Sequence, residues 1–124
     1  MIDSLNIGKY IFATLKNIKD VGIYPLVADN DAQFPFMVYK RTNLVSSGCK
    51  DGYYEDSVTI EINIVTDRYY KGIDLANQVR ELLEVSSTSF GDMEISDSNL
   101  ILASEDYSNN AFIQKMQFNL KINN

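Results

Sequence analysis

"SVTIEINIVTD" spans residues 57–67. Val58, Ile60, Ile62 and Ile64 alternate there with Thr59, Glu61 and Asn63. A period of two is the pattern of a strand that buries one face only. Such a strand needs a cover for its isoleucine row and leaves its Thr-Glu-Asn row looking outward. Residues 55–65 are expected to form it.

The cover comes from two amphipathic segments. Ile7, Ile11, Leu15 and Ile18 recur at three- and four-residue steps, with Phe12 widening the stripe, and predict a helix over residues 4–17 capped by Asp3 or Ser4. Ile73, Ala76, Val79, Leu82 and Leu83 predict a second helix over 69–84, capped by Thr66 or Asp67. Val79, Leu82 and Leu15 are expected to lie most directly on the isoleucine row. Burying its four side chains contributes on the order of 6–12 kcal/mol before chain entropy is set against it.

Three further strands and an edge segment complete the chain. "VGIYPLVADND" is short and extended, and Pro25 has no N–H for a ladder, which predicts an edge. "FPFMVYKRTNLV" alternates Phe36, Val38 and Lys40 with Met37, Tyr39 and Arg41. "SSGCKDGYY" is polar with two glycines and reads as a long hairpin tip. "LILASEDY", a turn at "SNN" and "AFIQKMQFNLKIN" form a closing hairpin; its last strand puts Phe112, Met116, Phe118, Leu120 and Ile122 on one face. The expected fold is α+β, a single domain over residues 1–124. It is a two-layer sandwich: a mainly antiparallel sheet with two helices packed on one face, in the order α-β-β-β-α-β-β.

Composition narrows the chemistry. A net charge of −6 with only 11 scattered Lys and Arg argues against gripping nucleic acid by its phosphates or docking on an anionic membrane. There is no histidine, which removes Ser-His-Asp and Cys-His nucleophilic sites and the commonest metal ligand. The single cysteine, Cys49, excludes an internal disulfide and leaves a zinc site little to build on. Cys49 beside Lys50 reads as an incidental exposed thiol. Residues 29–31, "DND", lack the glycine and distal glutamate of an EF-hand loop and read as a solvated turn. "YYED" and "SEDY" place neighbouring carboxylates on opposite faces of a strand, a poor acid–base arrangement. No catalytic residue, cofactor or metal site is expected, and an enzyme is the least favoured class. The opening residues 1–17 lack the continuous apolar core of a signal peptide, and no segment is long and apolar enough to span a membrane. A soluble, cytoplasmically made chain is expected.

The tyrosines leave two readings open. Tyr53–Tyr54 and Tyr69–Tyr70 bracket the opening strand. They either pack beneath loops at the sheet ends or serve an interface, where tyrosine is enriched. The sheet face without helices, carrying Thr59, Glu61, Asn63, Lys115, Gln117 and Asn119, is either wet or meets another subunit.

The segment order, Pro35 with the strand Phe36 to Tyr39, the strand 58–65 running directly into "RYYKGIDLANQVRELL", and the helix with Ala76 and Leu83 together resemble a family of virion proteins. These are the small tail-completion and tail-terminator proteins of long-tailed bacteriophages and prophages, with the related minor capsid or head–tail joining proteins. The resemblance implies a non-enzymatic structural subunit of the virion, at the tail end or head–tail junction. It would be made in the bacterial cytoplasm and assemble as a ring, often hexameric. Its implied partners are copies of itself, the tail-tube protein and the head–tail connector protein, with DNA only passing through a channel from which the acidic charge would repel it. The interface residues expected on this reading are Tyr53, Tyr54, Tyr69, Tyr70, Glu61, Asn63, Lys115 and Gln117, with the loop 46–52. The alternative is a small non-enzymatic binding module for a host protein or ligand.

Overall fold

The computed structural model describes residues 4–48 and 54–123. A 3₁₀ turn, Ser4–Asn6, leads into helix α1, Ile7–Leu15, then strands β1, Gly22–Pro25, β2, Phe36–Gly48, and β3, Tyr54–Thr66. Helix α2, Tyr69–Leu83, follows, and strands β4, Thr88–Phe90, β5, Met93–Ser108, and β6, Ala111–Asn123, end the chain. The six strands make one sheet in the order β1-β2-β3-β6-β5-β4. The alternating stretch of residues 57–67 supplies most of β3, which pairs antiparallel with both β2 and β6.

The isoleucine row is the centre of the core: Val58, Ile60, Ile62 and Ile64 expose at most 1 % each. Register places Tyr39 and Met116 beside Ile62, Met37 beside Ile64, Phe118 beside Ile60 and Leu120 beside Val58. Ile7, Ile11 and Leu15 of α1 and Leu75, Val79 and Leu83 of α2 close over them. Gly72 lets α2 sit down on the sheet at its start, because a Cβ there would stand 3.3 Å from both Gln114 Cγ and Thr66 Oγ1.

Several expectations are corrected. Among the described residues the sheet has six strands, not five, and β1 runs parallel to β2 while the other four pairings are antiparallel. The result is a mostly β fold, a curled mixed sheet with two helices, and not a clean two-layer sandwich. Leu75 belongs to the buried stripe of α2, while Leu82 and Ile73 are only half-buried at its margins. In α1 Tyr10 is buried and Phe12 is exposed. The two lie on opposite flanks of the Ile7–Ile11–Leu15 line, and β4 decides between them: Phe90 packs edge-on to Tyr10, with centroids 5.8 Å apart.

The capping expectations fail too. Asn6 precedes α1 and Arg68 precedes α2, and neither makes a side-chain cap. Thr66 spends its hydroxyl on the Arg68 carbonyl at 2.8 Å, and Asp3 lies outside the described residues. The polar tip also begins later than expected, because β2 continues through Ser46, Ser47 and Gly48, paired with Asp56, Glu55 and Tyr54. Backbone ladder bonds do not need apolar side chains. β5 likewise starts seven residues before "LILASEDY", its buried Met93 and Ile95 separated from Ser98 and Leu100 by a shift of register between Ile95 and Asp97. A bulge of this kind breaks the period of two by which a strand is recognised.

Candidate interaction surfaces

The outward row of β3 and its neighbours form the sheet face opposite the core. Register lines up Lys40, Glu61 and Gln117 across β2, β3 and β6, and next to them Val38, Asn63 and Lys115. Glu61 is only 8 % exposed although no helix covers it. Its neighbours do the burying. Asn63 Nδ2 donates to one carboxylate oxygen at 3.1 Å and Gln117 Nε2 to the other at 3.3 Å, and the Lys40 ammonium stands 3.6 Å away. Burial pulls the carboxyl pKa upward, but the two amide hydrogen bonds with the charges of Lys40 and Lys115 outweigh it and hold Glu61 below the usual glutamate value. Two residues along β6, Asn119 Nδ2 and Lys121 Nζ both donate to Ser57 Oγ, at 2.9 and 3.3 Å. The centre of this face is a set of polar side chains hydrogen-bonded to one another.

Four of the expected interface residues, Glu61, Asn63, Lys115 and Gln117, are thus brought together. The tyrosines are not part of that set. Tyr69 and Tyr70 sit at the start of α2, on the helix side. Tyr69 packs edge-on to Tyr70 and to Phe112, and Phe112 meets Tyr107 with centroids 4.8 Å apart. The Tyr69 hydroxyl donates to Glu105 Oε2 at 2.7 Å, and Gln114 Nε2 donates to the same oxygen at 2.7 Å. Those bonds lower the Glu105 pKa, and the bond to Glu105 raises that of Tyr69. Tyr70 is 78 % exposed and Tyr107 56 %, so this aromatic end packs within itself and still faces solvent. Tyr53, the side chain of Tyr54, Cys49, Lys50 and Gly52 lie outside the described residues.

Two features escaped the sequence reading. Asp56 continues the isoleucine row by one step and is buried, and its Oδ1 has no hydrogen-bond partner among the described residues. The other is the pair of long strand edges left by short outer strands. β1 covers β2 only at Phe36 to Tyr39, and β4 covers β5 only at Met93 to Ile95, with one further bridge from Val85 to Ser98. One polar concavity of the surface is lined by Ser87, Thr88, Ser89, Glu94 and Ser96. Among the described residues no helix is long and apolar enough to cross a membrane.

Fold and surface together define a mostly β structure, a curled mixed sheet with two helices, whose outer face carries a hydrogen-bonded polar set and whose two edges are largely unpaired among the described residues. No protein-family model and no curated protein matches the chain. Among solved structures, it is similar to a chain of the virion of a native gene transfer agent particle. The TM-score is 0.78 at 10 % identity, over 92 % of this chain and 92 % of that one. The two share a fold.

Proposed function

We propose that this chain is a structural subunit of a virion, a tail-terminator or tail-completion protein that assembles as a ring, closes the tail tube and joins it to the head. The observation that carries this reading is the fold shared over 92 % of its length with a chain of a gene transfer agent virion. The segment order and the motifs of residues 35–39 and 58–65 support the finer assignment. On this reading the chain works without turnover, and its partners are copies of itself, the tail-tube protein and the head–tail connector. DNA passes through the ring without being held. The polar face with Glu61, Asn63, Lys115 and Gln117, and the aromatic end with Tyr69 and Tyr70, are the surfaces offered to neighbours, together with Tyr53, Tyr54 and residues 46–52.

Deleting the gene and imaging the particles by electron microscopy tests it. Overlong or headless tails, restored by supplying the chain in trans, are expected. Normal particles from the deletion strain would overturn the assignment.

A further inference from the structure

The two open edges fit each other. Among the described residues, 40–48 of β2 pair only with β3, and residues 99–108 of β5 pair only with β6 apart from the side-chain cap of Glu84 on the Leu100 N–H. Long uncovered edges invite further pairing, and soluble proteins usually shorten or shield them. Here each edge is instead stopped at one end by a short strand: β1 at the start of β2, β4 at the start of β5. The edges are on opposite sides of the sheet, and β2 and β5 run antiparallel.

We infer that copies of this chain join head to tail by antiparallel pairing of residues 40–48 of one copy with residues 100–108 of the next. The inference rests on the reading above in taking copies of this chain as the partner. With Lys40 opposite Ser108, the β1 of one copy lies just past the end of the neighbour's β5, and β4 lies past the end of the incoming β2. Each free edge fills the notch left by the other.

Side-chain facing agrees with this register. Lys40, Asn43 and Val45 point to the polar face, as do Ser104, Asp106 and Ser108. Arg41 and Leu44 point to the helix side, as do Glu105 and Tyr107. The bulge at Thr42 keeps both halves in phase. Charge agrees as well. Lys40 and Arg41 are the charged residues of the first edge, Glu105 and Asp106 those of the second. The pairing sets Lys40 one diagonal step from Asp106 and Arg41 one diagonal step from Glu105, within reach of long side chains. Val45, Leu102 and Tyr107, all more than half exposed, come under cover.

The step also suits closure. Lys40 is level with Leu102 within one copy but opposite Ser108 across the joint. That is a stagger of about six residues, roughly 20 Å, for four strand spacings of roughly 19 Å in all. The implied strand tilt of about 45° is within the range by which sheets close on themselves. A heterologous joint of this kind makes a ring when its rotation closes.

The test uses the full chain with Cys49→Ser, carrying Val45→Cys and Ser104→Cys together, and a short bifunctional thiol cross-linker. A ladder extending beyond dimer is expected. Arg41→Glu should abolish it and Glu105→Arg in the same chain should restore it, with circular dichroism reporting that each variant folds. No ladder, products stopping at dimer, or a ladder indifferent to Arg41→Glu would overturn the edge pairing. The virion role fails separately: a ladder with normal deletion particles removes the tail assignment and leaves the joint standing.

Discussion

Replacing Glu61 by glutamine tests whether the polar sheet face holds itself together. The substitution keeps the shape of the side chain and removes its charge. It weakens two hydrogen bonds, from Asn63 and Gln117, and the ion pair with Lys40. Its amide also turns one acceptor into a donor facing other donors. Bonds to a charged acceptor contribute about 1.5–3 kcal/mol. Because part of each bond survives to the remaining carbonyl, a net loss of about 1.5–3 kcal/mol for the site is expected, or roughly 6–12 °C in melting temperature for a domain of this size.

The pH dependence carries the sharper signature. The folded state holds the Glu61 pKa below its ordinary value of 4.5. Ionisation therefore favours the folded state, and the contribution is complete above that value and lost as pH falls through the folded pKa. Thermal melts of Glu61→Gln and the parent chain should differ at about pH 7 and converge at about pH 2, where both side chains are neutral. Equal melts at neutral pH would show that Glu61 gains nothing from its neighbours. A gap that persists unchanged in acid would assign the effect to packing.

Two further outcomes can be checked on the monomer. Glu105→Gln removes the charged acceptor that raises the Tyr69 pKa, so an alkaline titration followed by NMR should show the Tyr69 ring moving back toward the ordinary phenol value while Tyr10, raised by burial, stays put. The β5–β6 turn sets Asn109 and Asn110 at φ of 52° and 62°, a two-residue hairpin that favours Asn and Gly. Asn110→Ala should therefore cost about 1 kcal/mol, and Asn110→Gly should be neutral or stabilising; chemical denaturation reads both, and an unchanged Asn110→Ala would contradict the strain.

What could be read from the chain itself was whatever depends on local period and turn chemistry. The alternation at 58–64 specified a half-buried strand, because a period of two leaves the backbone one way to bury all four side chains. The two helices, the Pro25 edge, the Asn109–Asn110 turn and the grouping of Glu61, Asn63, Lys115 and Gln117 on one face follow from the same short-range logic. Tertiary structure decided the rest. The periodicity of α1 put Phe12 in the buried stripe, but β4 packs against the opposite flank and buries Tyr10 instead, and three residues, Thr88–Phe90, are too few to show a period. A bulge in β5 hid the start of that strand by reversing its phase, and the polar residues 46–48 hid the end of β2. The burial of Glu61 on a face with no cover, and the matching open edges of β2 and β5, arise from strands far apart in the sequence. They appear only once those strands are set side by side.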